Sequence, residues 1–198
     1  APDEARQDPA YYTILMVACF GQGDLDGALD AFTAGQEVQP TYLLLYETFT
    51  HFLRPRWFGD TESDWHDWLV GALEHDGLSE EERLVIYGAV VRGRVRYHFQ
   101  ESPADQVYDS IGIDRERFMR GLSAYNRRFP DSTAWPLRYL YYAILTGDRS
   151  GVIEALQMAD GKYDPSRTAE GLREDFDLVI ETFPDLAPLI HREGDAAP

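Results

Sequence analysis

This sequence predicts an all-α fold of stacked antiparallel helical hairpins, with about nine or ten helices. Three observations predict it. Apolar side chains recur every three or four positions along most of the chain. Gly-Asp pairs and prolines interrupt those stripes at intervals of helix length. Short alternations such as Tyr139 to Ile144 sit inside stronger helical stripes, so no strand is predicted.

The clearest stretch is Tyr12 to Pro40. Its first helix carries Tyr12, Leu15, Met16 and Cys19 on one stripe, and Gly23-Asp24 breaks it. A second helix begins near Leu25, with Ala28, Leu29, Phe32 and Gly35 expected inward, and Pro40 closes it because proline cannot continue the helical ladder. Such a hairpin cannot bury its apolar face alone and needs neighbours.

Before it, residues 1–8 are polar and aperiodic, a leader expected to be flexible. After it, Thr41 is the expected cap of a third helix that Pro55 ends. Arg54-Pro55-Arg56-Trp57-Phe58-Gly59-Asp60 forms a distinctive loop. Thr61 or Ser63 is expected to cap a fourth helix with Trp65, Trp68, Leu69 and Ala72 at helical spacing. Ser79 followed by Glu80, Glu81 and Glu82 is a capping-box start for a long fifth helix, to about Gln100. Its stripe is Leu84, Gly88, Val91, Val95 and Phe99. A short helix surrounds Val107, Tyr108 and Ile111. Another runs from Arg115 to Phe129 with Phe118, Leu122 and Tyr125 inward and arginines outward. A second hairpin spans Trp135 to Pro165 and turns at Gly147-Asp148. A final helix is expected from Arg167 to Phe183. The reading is one domain over residues 9–184, with 185–198 as a flexible tail.

The first hairpin resembles a tetratricopeptide repeat: Tyr12, Gly23, Asp24, Ala28, Phe32, Gly35 and Pro40 fall in that register. Met16 and Cys19 depart from it. In the second hairpin, Gly147-Asp148, Val152 and Ala159 match and Leu156 replaces the aromatic. The resemblance implies a tetratricopeptide-like α-solenoid. The loop with Pro55, Arg56, Trp57 and Gly59 is also similar to that of a bacterial family carrying a Pro-Arg-Trp-Gly-Gly-type loop, with Phe58 in place of the first glycine. That resemblance implies a helical fold and no activity.

The totals narrow the function. The net charge is −17, which argues against nucleic acid or an anionic membrane as partner. No apolar run is long enough to insert into a membrane. One cysteine, Cys19, rules out an internal disulfide and a cysteine zinc site, and its place on the stripe predicts a buried thiol. The charge is uneven: residues 1–82 carry 17 acids and 3 bases, whereas residues 83–138 carry 6 acids and 10 bases. That asymmetry fits internal complementarity between helices, or an acidic face for a basic partner. The chain starts at Ala1 without a methionine; a cytoplasmic location is expected, or a periplasmic one if a leader has been removed.

Several motifs suggest chemistry and then fail on detail. Asp64 and Asp67 share a helix face while His66 points elsewhere, so an exposed polar face is expected rather than a metal site. Gly21 to Gly27 lacks the strand and the basic residue of a phosphate loop. Asp24, Asp26 and Asp30 miss the calcium-loop pattern, because Ala28 stands at a ligand position. Arg92, Arg94, Arg96, Tyr97 and His98 form a basic-aromatic cluster, expected to pair with the acidic first half. No cofactor and no metal is predicted.

Arg54, Arg56, Trp57 and Phe58, with Asp60, Asp64 and Asp67, form the candidate partner-binding face, since arginine and aromatic side chains are common interface anchors. The plainer alternative has Trp57 and Phe58 plugging a gap between hairpins while Arg54 and Arg56 pair with nearby acids. The function expected is a non-enzymatic protein-binding module whose acidic surface takes a basic protein, for instance an immunity or antitoxin protein. The rival is a hydrolase with paired carboxylates in a concave face.

Overall fold

The computed structural model describes residues 4–98, 104–130, 134–145, 147–159 and 178–189. All regular elements among them are helical, and no strand occurs. The α-helices are α1 (Pro9–Gln22), α2 (Leu25–Val38), α3 (Leu43–Phe52), α4 (Asp64–Ala72), α5 (Glu80–His98), α6 (Ala104–Ile111), α7 (Arg115–Arg128), α8 (Ala134–Leu145) and α9 (Arg149–Ala159). Residues 178–182 add the described part of the expected last helix. Trp135 as a side chain, Phe99 and Pro165 lie outside what is described, as do the side chains of Arg96, Tyr97 and His98.

The chain divides into two compact units, Ala1–Gly121 and Leu122–Pro198, where one domain over 9–184 was expected. In the first, α3 is the hub and packs on α1, α2, α4 and α5. Phe49 of α3 shows why. Its ring stacks on Trp68 of α4 at 4.2 Å between centroids and meets Phe20 and Phe32 edge-on at 5.4 and 5.5 Å. Edge-on and offset-stacked pairs are the favoured aromatic geometries. A buried polar chain crosses the same core. Gln36 Nε2 donates to the Tyr46 hydroxyl at 3.0 Å and to the Ala72 carbonyl at 3.1 Å, and the Tyr46 hydroxyl donates to the Pro40 carbonyl at 2.7 Å. These bonds fix α2, α3 and α4 in register, because a buried polar group without a partner is costly.

Both hairpin turns share one construction. Gly23 and Gly147 take φ of 75° and 66°, the left-handed region where glycine is unstrained. The following amides reach back: Asp24 N–H donates to the Cys19 carbonyl and Asp148 N–H to the Ala143 carbonyl, both at 2.9 Å. Each aspartate then caps the next helix, Asp24 accepting from the Gly27 amide at 2.9 Å and Asp148 from the Gly151 amide at 3.0 Å. The glycine three positions on is required by the cap. A Cβ at Gly27 would lie 2.2 Å from the Asp24 carboxylate, and one at Gly151 2.6 Å from that of Asp148. The expected capping box at Ser79 is also present: Glu82 accepts from the Ser79 amide at 2.9 Å, and Ser79 Oγ accepts from the Glu82 amide at 3.3 Å.

Several expectations need correction. Thr41 does not cap α3; Tyr42 precedes it without a side-chain cap. Leu29, expected inward, is 44% exposed, because Ala28, Ala31, Phe32 and Gly35 already fill the inner face of α2. Cys19 is only half-buried. The stripe expected on α5 is buried at Leu84, Gly88, Val91 and Val95, but the residues between are buried too, so Leu84 to Val91 form an apolar girdle. Short 3-10 turns lie at Ala5–Gln7 and at Pro184–Leu189, and the second buries Leu186.

In the second unit α8 and α9 pack together. A polar clasp ties them to the end of α7. Ser123 Oγ donates to Glu154 at 2.5 Å and accepts from Arg127 at 2.6 Å. The Tyr139 hydroxyl donates to the other Glu154 oxygen at 2.7 Å. Burial, with the Glu154 carboxylate beside it, pushes the Tyr139 phenol well above its ordinary range.

Candidate functional site

The loop after α3 follows from its backbone bonds. Trp57 and Gly59 amides both donate to the Arg54 carbonyl, at 2.8 and 3.2 Å, and the Phe58 amide donates to the Phe52 carbonyl at 3.0 Å. Gly59 is the residue that lets the loop close, since a Cβ there would lie 2.0 Å from the Leu53 carbonyl oxygen.

This turn splits the predicted site. Phe58 goes inward, its ring 5.4 Å from Phe20, which itself stacks on Phe52 at 4.1 Å. Trp57 goes outward and is 50% exposed, so it does not plug a gap. The Arg56 guanidinium lies 5.7 Å from the Trp57 ring centre. Arg54 donates from Nε to the His51 carbonyl at 3.0 Å and lies against the His51 ring. Among the described residues neither Arg54 nor Arg56 pairs with a carboxylate, so the acid pairing weighed for them is absent.

The three aspartates have separate roles. Asp64 turns back from the first turn of α4 and accepts from the Asp60 amide at 2.6 Å, the Thr61 amide at 3.0 Å and the Thr61 hydroxyl. Those bonds, the hydroxyl first, hold its carboxyl below the usual range. Asp64 thus ties the loop to the start of α4, and Ser63 precedes that helix without a side-chain cap. Asp60 and Asp67 are exposed. His66, expected on a solvent-facing side, is only 6% exposed, because its Nε2 meets the Tyr87 hydroxyl at 2.9 Å inside the core. Burial lowers the His66 pKa and raises that of Tyr87 to about 12. Among the described residues no group of three His, Cys, Asp or Glu side chains could hold a metal ion, and no helix is long and apolar enough to cross a membrane.

What the loop does build is one wall of an open cleft of about 530 Å³. It is lined by Glu47 and His51 of α3, Arg54 and Arg56 of the loop, and Val90, Gly93 and Arg94 of α5. Arg94 Nη2 donates to the Glu47 carbonyl at 2.6 Å, and its other nitrogens reach Thr50 Oγ1 and His51 Nδ1, both at 3.4 Å. These bonds of Arg94 run to a carbonyl, a hydroxyl and an imidazole, and its charge also acts on the Glu47 carboxylate. His51 sits between Arg54 and Arg94. Burial and those two cations lower its pKa to about 4, which keeps it neutral at pH 7. Glu47 is the one carboxylate in the lining among the described residues; burial raises its pKa, against Arg92 and Arg94. Sequence reasoning found Arg54, Arg56 and Arg94 but not their convergence. His51 and Gly93 carry no sequence signal, since only the packing of α3 on α5 brings them to the loop.

A second surface lies on the first hairpin. Ile14, Val17, Ala18 and Gly21 share the outer face of α1, with Ile14 70% and Val17 48% exposed. On α2, Asp26, Asp30, Thr33 and Glu37 share an exposed stripe at helical spacing.

No protein-family model matches this chain, and it matches neither a curated protein nor a solved structure.

Proposed function

We propose that this chain is a non-enzymatic protein-binding module. Its α1–α2 hairpin receives a basic amphipathic segment of a partner protein. The observation that carries this reading is the exposed face of α1. A helix that buries Thr13, Met16 and Phe20 on one side also presents Ile14 and Val17 on the other. A large aliphatic side chain 70% exposed gains from cover, and a clustered apolar face is a mark of an interaction surface. The acids of α2 and the 17 carboxylates of residues 1–82 select the sign of the partner, both in steering and in docking. The loop at residues 54–60 is a poor place for a basic segment, because Arg54 and Arg56 would repel it.

The test is titration of a cationic amphipathic model peptide of Leu and Lys into the protein by calorimetry. Ile14→Glu should weaken binding by about tenfold or more, the loss expected for one desolvated aliphatic anchor. Asp26→Lys with Asp30→Lys should weaken it further and flatten its salt dependence. Binding that ignores all three changes refutes the proposal.

A further inference from the structure

We infer that the cleft between α3, the 53–60 loop and α5 binds a small phosphate monoester, its dianion held by Arg54, Arg56 and Arg94 beside Trp57. This goes beyond the partner surface on α1 and α2 and does not depend on it.

The argument begins with charge. The chain has 35 acids for 18 Lys and Arg, so an arginine has ample opportunity for a carboxylate partner. Arg54 and Arg56 nonetheless form no ion pair among the described residues, and both point into one cleft with Arg94. Among the described residues the lining holds three guanidiniums and one carboxylate, Glu47. His51 adds no charge at neutral pH. Arg54 and Arg56 thus bring to the cleft two charges that no carboxylate among the described residues pairs, which matches a monoester at −1.5 to −2, roughly, better than a single carboxylate. Planar guanidiniums bind such oxygens in pairs.

Space gives a second, independent reason. Gly93 lies within α5, where glycine costs roughly 1 kcal/mol relative to alanine. A Cβ there would meet nothing within 4 Å, so packing within the protein does not explain the glycine. A bare backbone at the floor of a cleft allows close approach of a ligand. The volume of about 530 Å³ falls within the range of small-molecule sites. The Trp57 ring, half-exposed and 6.4 Å from the His51 ring of the lining, offers a planar face to the organic part of the monoester.

The experiment is a titration of phenyl phosphate into the intact chain above pH 7, at physiological ionic strength, followed by calorimetry and by tryptophan fluorescence. Benzenesulfonate, of the same shape but one charge fewer, is the comparison. Saturable binding of phenyl phosphate is expected, with benzenesulfonate weaker by about tenfold. Arg56→Gln, at an exposed position that should not disturb folding, should weaken phenyl phosphate by about tenfold as well. Gly93→Leu should abolish binding by filling the cleft, with the helical circular dichroism unchanged. Arg128→Gln, an exposed change of equal charge elsewhere, should leave binding intact. No binding by the unmodified chain overturns the inference. So does equal affinity for the sulfonate, retention of binding by Gly93→Leu, or an equal loss in Arg56→Gln and Arg128→Gln.

Discussion

Two glycine-to-alanine changes inside helices should have opposite signs. Gly121 in α7 lies where that helix crosses α5. A Cβ there would sit 2.5 Å from the Leu84 carbonyl oxygen, 2.8 Å from the Gly88 nitrogen and 2.9 Å from the Gly88 Cα. All three are backbone atoms of a helix buried on every side, so no rotamer change relieves the contact. The helices must separate by roughly half an ångström or more, and the surrounding side chains, Leu84 and Phe118 among them, lose contact. Overpacking of this kind costs typically about 1–3 kcal/mol, against a propensity gain of about 1 kcal/mol that it must exceed. Backbone-to-backbone contact belongs at the upper end, and a net loss of about 2 kcal/mol is expected. Gly71 in α4 is the control. A Cβ there meets nothing within 4 Å, so Gly71→Ala should stabilise by about 0.5–1 kcal/mol through propensity and a less flexible unfolded chain. Urea denaturation reads both. With a slope of about 2.5 kcal/mol per molar, Gly121→Ala should lower the midpoint by roughly 0.8 M and Gly71→Ala should raise it by about 0.2–0.4 M. If Gly121→Ala is as stable as the parent, the close crossing of α5 and α7 is wrong.

The turn caps predict that Asp24→Ala and Asp148→Ala each cost about 1 kcal/mol by leaving the Gly27 or Gly151 amide without its acceptor, and thermal denaturation checks it. In the second unit, Glu154→Gln should cost about 1–2 kcal/mol in urea, since an amide cannot accept from both Ser123 and Tyr139 while facing Arg127. His51 and His66 make stability depend on pH. Their folded pKa values lie below the unfolded value, so the unfolded chain takes up protons first. Their contribution is complete above about pH 6.5 and falls as the pH drops toward the folded value, which for His51 is about 4. The slope in that window reaches up to about 1.4 kcal/mol per pH unit for buried His66 and less for the more exposed His51. The urea midpoint measured across that window should lose part of its slope in His51→Asn, and an unchanged slope contradicts the assignment.

The helices and their turns follow from local sequence. Periodicity, Gly-Asp pairs and the Ser79–Glu82 box act within a few residues, so local spacing is enough to specify them. The Gly-Asp pairs marked both turns, but that each aspartate caps the next helix through the amide of a glycine three positions on came from the structure. Tertiary structure alone decided which polar residues face solvent and which face each other. His66 points away from the face that Asp64 and Asp67 share, but spacing does not say that Tyr87, twenty-one positions on, waits there as its buried partner. Phe58 and Trp57 are adjacent and alike in composition, yet Phe20 takes one inward and leaves the other at the surface. Arg54, Arg56 and Arg94 became a cleft only because α3 packs on α5. Side-chain burial and charge convergence depend on contacts far apart in the chain, and helical spacing does not encode them.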